Sequence, residues 1–116
     1  MEETHAELVE RLMKPGEQIL EEMTPAQAEL LHMAVLLVEE SAEVLGPLKK
    51  HCIYQKPLDT DKLIDELGDL SFAFQSLCTR LKVTKEQVVE GNMTKLNERY
   101  PLGAYSNEQA ISRKDV

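Results

Sequence analysis

Apolar residues recur along the chain three and four positions apart, and the period-two alternation that marks strands is absent. A first segment, about Glu3 to Met13, places Leu8, Val9 and Leu12 on one side and is ended by Pro15-Gly16. Thr24-Pro25-Ala26-Gln27 predicts a helix start, with Thr24 as the cap, Pro25 at the first helical position and Gln27 completing a capping box. The helix that follows carries Leu30, Leu31 and the unbroken apolar run Ala34-Val35-Leu36-Leu37-Val38. A turn with no polar face is expected to be buried on all sides. Gly46-Pro47 predicts a kink or a split, with Leu48 to Ile53 carrying the helix on for a turn or two.

Lys56-Pro57-Leu58-Asp59-Thr60 reads as a loop ending in capping residues. From Thr60 to Lys82, Leu63, Leu67, Leu70, Phe74, Leu77 and Leu81 follow one another at spacings of 4, 3, 4, 3 and 4, the pattern of a bundle seam. Thr84-Lys85-Glu86-Gln87 is a second capping box, opening a helix with Val89, Met93, Leu96 and Tyr100 on one face and Pro101 as its stop. The tail from Leu102 holds Gly103 and a short helical turn near Ser106. No repeat or linker interrupts the chain, so residues 1–116 read as a single all-α domain: a helical bundle of four main helices plus a C-terminal tail.

Composition bears on what could cover that bundle. The chain has 116 residues, 42% of them hydrophobic, with two Phe, three Tyr and no Trp. Its core is thin, and a second copy is the simplest cover for the apolar turn at Val35–Val38. The formal net charge of −8 argues against a binder of the nucleic-acid backbone. No run approaches the roughly 20 apolar residues of a membrane span. The start, Met1-Glu2-Glu3-Thr4, lacks the basic and apolar regions of a signal peptide, and Cys52 and Cys78 form no framework. The expectation is a cytoplasmic protein with reduced thiols.

Charge also points to the chemistry. Residues three apart on a helix lie about 60° apart around the axis, so they share a face. Glu40 and Glu43 form one such pair, Glu66 and Asp69 another, and each borders an apolar stripe. Antiparallel neighbouring helices would bring the pairs together. Close like charges cost about 1 kcal/mol a pair in water and several times that when desolvated, so protonation or a cation must offset them. An oxygen-only donor set, with no His or Cys in either segment, favours Mg²⁺ and makes zinc a poor fit. Gly68, a poor helix former between two of the acids, is a place where a helix or ligand could approach closely. Solvated acidic helix faces are the competing reading. On the fourth helix Asn92, Lys95 and Arg99 form a polar and basic stripe suited to phosphates. Lys49 and Lys50 are further candidates for phosphate. Tyr54, Phe72 and Phe74 are the available stacking groups, with Phe74 on the seam.

The pattern Glu39-Glu40-Ser41-Ala42-Glu43 followed on the next helix by Glu66-Leu67-Gly68-Asp69 resembles the signature of the all-α nucleoside triphosphate pyrophosphohydrolases of the MazG type. Lys49-Lys50-His51, Asn92-Met93-Thr94-Lys95-Leu96 and Arg99-Tyr100-Pro101 look like segments of the same family. Tyr105-Ser106-Asn107-Glu108-Gln109-Ala110 with Arg113 is similar to short single-domain phage and bacterial members. The resemblance implies hydrolysis of an NTP to NMP and pyrophosphate, with Mg²⁺ (or Mn²⁺ in its place) held by Glu40, Glu43, Glu66 and Asp69. Glu39 and Glu43 would position or deprotonate the attacking water. Asn92 and Lys95 would contact the nucleotide. The residues' own pattern adds Arg99, Lys50 and Tyr54 to the candidate substrate-binding set. It also implies a homodimer or homotetramer, and a role in nucleotide-pool control or house-cleaning on a substrate such as dGTP. The missing Trp and the Gly46-Pro47 interruption depart from many members and leave the base open. A related hydrolase of dUTP, dUDP or phosphoribosyl-ATP, and a non-catalytic helical interaction module, are the alternatives.

Overall fold

Seven helices and no strand form among the described residues, 2–113 and 115, of the computed structural model. They are α1 (His5–Leu12), α2 (Gly16–Glu22), α3 (Pro25–Glu43), α4 (Leu45–Cys52), α5 (Thr60–Leu81), α6 (Lys85–Arg99) and α7 (Asn107–Ser112). The fold is all-α, and the four expected segments are α1, α3 with α4, α5 and α6.

Capping chemistry explains most of the starts. Thr24 and Thr84 each accept the backbone N–H three residues on, and Gln27 and Gln87 accept the N–H of their threonine in return. Thr4 and Glu7 form a third box of the same kind at α1. Asp59 caps α5 by accepting the N–H of Lys62, and Ser106 caps α7 by accepting that of Gln109. The helix α2 departs from expectation, since Pro15-Gly16 reads as a terminator. Its start has no side-chain cap, while Lys14 and Gln18 both bond to Glu22.

The interruption expected at Gly46-Pro47 falls earlier, at Val44. Pro47 has no N–H, so it cannot bond the carbonyl of Glu43 one turn before it. The defect therefore appears upstream of the proline, and Val44 bonds back to Ser41 O at 3.3 Å.

The central packing is the antiparallel pair α3–α5. Glu29 pairs with Arg80 at 2.8 Å near one end, and Glu40 meets Glu66 and Asp69 near the other. Half-buried Leu30, Met33, Leu37 and Glu40 mark the inner stripe of α3, and Leu63, Glu66, Leu70, Ala73 and Leu77 that of α5. Ala73 is fully buried, which lets the two backbones approach closely. The seam expected on α5 is thus rotated: Leu67 stands half exposed, and Glu66 takes an inner position.

The turn expected to be buried on all sides packs against α5 on one side and lines an open cleft on the other. Leu36 and Leu37 are half-buried, whereas Val35 and Val38 remain 53% and 71% exposed. The radius of gyration is 20.5 Å, against about 13 Å for a compact chain of this length. Gly68 also differs from expectation, for no neighbour lies within 4 Å of where its Cβ would stand.

Because Ala73 has no free space around it, Ala73→Leu is expected to destabilise the chain by about 1–3 kcal/mol, measured by urea unfolding. Stability equal to the parent would show that the α3–α5 contact is looser than described.

Candidate functional site

The last turn of α3 and the second and third turns of α5 bring three carboxylates together. One oxygen each from Glu40, Glu66 and Asp69 lies within 4.8 Å of the other two. The geometry follows from sequence spacing: Glu66 and Asp69 share a face of α5, and the antiparallel pairing sets Glu40 opposite them. Glu66 is 5% exposed, and its carboxylate accepts from the ammonium of Lys62 at 2.8 Å. That bond raises the Lys62 pKa, with the charges of Glu66, Asp65 and Glu43 adding to it. Glu40 is pushed the other way from a charged state. Partial burial raises its pKa first, and the charges of Asp69, Glu66, Glu39 and Glu43 raise it further.

This arrangement fits a hard divalent cation. Oxygen ligands on opposite sides of Mg²⁺ are about 4.2 Å apart, so a cluster spanning 4.8 Å closes onto an ion with small side-chain shifts. Glu66 is nearly excluded from water and has one ammonium as partner, which leaves carboxylate lone pairs free for further bonds. The donor set is all oxygen.

The remaining expected residues are placed as follows. Glu43 is exposed and outside the close triad, yet near enough to act on Glu40 and Lys62 through its charge. Glu39 lines an open cleft on the outward side of α3 with Ala34, Val35 and Val38. Lys50 borders a cleft beside Lys62. Tyr54 is exposed, with the Lys49 ammonium 5.5 Å from its ring centre. Asn92 and Lys95 are exposed on α6, which packs on α7 rather than along the α3–α5 pair. Phe72, one turn beyond Asp69, is 66% exposed and lines a cleft of about 410 Å³ with Met33, Gln75 and Arg80.

Arg99 does not stand free on that stripe. It donates two bonds to Asp115, at 2.9 and 2.7 Å, and this partly buried ion pair holds the tail against α6. Asp115 is held well below the usual carboxylate range, chiefly by Arg99, with Arg113 assisting. Sequence reading missed the pairing because its partners lie 16 positions apart. It also missed Lys62, whose signal was present: a lysine four residues before a glutamate on the same helix.

The model of the MazG nucleotide pyrophosphohydrolase domain matches residues 28–103. This chain belongs to that family. The MazG match takes in most of α3, with its acids, and all of α5 and α6. A search of the curated proteins and one of the solved structures found no match. Among the described residues no helix is long and apolar enough to cross a membrane. A MazG domain acts on nucleotides, and the acidic triad is the feature of this member that suits a metal.

Two outcomes follow. A raised Glu40 pKa means that the folded chain holds the proton more tightly than the unfolded chain, so charging Glu40 costs stability as pH rises through that value. Without divalent ions at pH about 7, Glu40→Gln is therefore expected to melt above the parent, with the margin closing as pH falls toward the ordinary glutamate value of about 4.3. Mg²⁺ should raise the melting point of the parent more than that of the variant; a variant melting below the parent would refute the repulsion. Asp115 has the opposite sign. Its lowered pKa supports α7 docking above the ordinary aspartate value of about 3.9 and loses that support as pH falls below it. Hydrogen exchange in α7 should accelerate in Asp115→Asn at neutral pH, and unchanged protection would remove the ion pair's role.

Proposed function

We propose that this MazG-family chain is a Mg²⁺-dependent nucleoside triphosphate pyrophosphohydrolase, converting an NTP or dNTP and water to the monophosphate and pyrophosphate. The observation that carries the reading is the close triad of Glu40, Glu66 and Asp69 within the matched domain. Those three would hold the cation, with Glu43 at the rim as a fourth carboxylate. Mn²⁺, with the same preference for oxygen ligands, would substitute. When bound, the ion supplies charge neutralisation and alignment for the phosphate oxygens.

The chain's own residues then have separable tasks. A water attacks the α-phosphorus, an O–P bond forms there, and the bond to the β-phosphate oxygen breaks. Glu43 and Glu39 are the groups to orient that water and take its proton, and Glu43 lies nearer the triad's charges. Asn92, Lys95 and Arg99 on α6, with Lys50 and Tyr54, would bind the nucleotide. Arg99 would do so while tied to Asp115, so its part is to hold the α6 end in place as much as to meet phosphate.

A homo-oligomer fits the same reading. The outward faces of α3 and α5 expose Leu31, Val35, Val38, Ile64 and Leu67, and a second copy would cover them and bring α6 residues toward the acids. A cytoplasmic enzyme made of one domain over residues 1–116, serving nucleotide-pool control or removal of unwanted nucleotides, is the setting that suits this chemistry.

Product analysis tests the reaction. With Mg²⁺ and a panel of NTPs and dNTPs, the chain should release monophosphate and pyrophosphate in equal amounts. Glu66→Ala and Asp69→Ala should lower kcat by about 10²–10³-fold or more while the helical circular-dichroism signal persists. Diphosphate and orthophosphate as products would reject the proposed bond cleavage.

A further inference from the structure

A second charged feature lies next to the acid triad. After α4, the chain folds back on its own last turn. The N–H of Lys56 bonds to Lys50 O at 3.0 Å, and its carbonyl lies 2.8 Å from His51 Nδ1. Gln55 takes a positive φ of 55° in that turn, and its side chain bonds to Cys52 O at 2.9 Å. Asp59 then caps α5, whose first turn carries Lys62. As a result, Lys50, Lys56 and Lys62 line one cleft of about 210 Å³ between Pro47 and Pro57, with Asp59 the sole acid among them.

Three ammonium groups in one cleft repel each other, and this occurs in a chain whose net charge is −8. Lys62 joins the cleft to the triad, because its ammonium lies 2.8 Å from Glu66. The cleft is smaller than the roughly 300 Å³ at which pockets for drug-sized ligands begin, so it suits an inorganic anion better than a whole nucleotide. Lysines are compact, strongly hydrated charges that serve well against phosphate oxygens. We infer that this cleft takes the β- and γ-phosphates of the substrate, the part that leaves as pyrophosphate. The inference rests on the reaction proposed above. It adds Lys56 and Lys62 as binding residues and makes the tail of the triphosphate the feature recognised here. Lys62 has two roles in it: it holds Glu66 in place and presents a charge to the leaving group.

Calorimetric titration of inorganic pyrophosphate into the full chain with Mg²⁺ present tests this directly. Lys56 is exposed and its backbone makes the structural bonds, so Lys56→Gln is expected to fold normally. That variant should bind pyrophosphate about tenfold more weakly and show a matching rise in KM for the nucleotide. Lys56→Arg should recover much of the loss, and Lys14→Gln, which removes a lysine that does not line this cleft, should bind like the parent. Equal affinity in Lys56→Gln and the parent overturns the proposal, as does failure of the parent to bind pyrophosphate. The two readings fail separately. Pyrophosphate release with a lysine-independent KM keeps the reaction and loses the cleft, whereas lysine-dependent binding with diphosphate as product keeps the cleft and loses the reaction.

Discussion

Everything in this chain is arranged around the antiparallel contact between α3 and α5. One fully buried alanine, Ala73, sets how close the helices come. Closeness sets the rest: it brings Glu40 within 4.8 Å of Glu66 and Asp69 and leaves Glu66 almost without water. Three carboxylates in so small a volume are unfavourable for a folded chain by themselves. Lys62 relieves one of them, and the raised pKa of Glu40 records the repulsion that is left. A tight contact that creates its own repulsion has the energetic profile of a binding site, because a cation entering there removes a strain the fold already carries.

The apolar surface tells a related story. Few side chains are buried, and large apolar groups stand open on the outer faces of the same two helices. Among the described residues no strand and no further layer of helices lies over them. Hydrophobic spacing therefore gave the longer helices but not the number of neighbours each would have, since a pattern of leucines records which face is apolar and not which chain covers it.

Local signals were the most legible. Thr24 with Gln27 and Thr84 with Gln87 form the boxes their spacing predicts, because a cap is closed by residues three apart. The pairs Glu40 with Glu43 and Glu66 with Asp69 were equally readable as helix faces. What spacing could not decide was rotation. A small shift of the α5 seam puts Glu66 inward and Leu67 half outward, and that choice depends on α3. Long-range pairing was the least legible: Arg99 reads as a free cation until the tail brings Asp115 to it. The helix α2 was hidden for another reason, since Pro15 offers no side-chain acceptor to announce a start.

The break at Val44 has a consequence of its own. The backbone dipoles of α3 point their negative ends toward its last turn, and that turn carries Glu39, Glu40 and Glu43 with no basic residue to answer them. Pro47 adds to this by leaving the Glu43 carbonyl without its helical donor. The peptide backbone itself is therefore part of the negative field at the site. A variant that loses one carboxylate keeps this contribution, so the end of α3 remains attractive to cations for a reason no side-chain substitution removes.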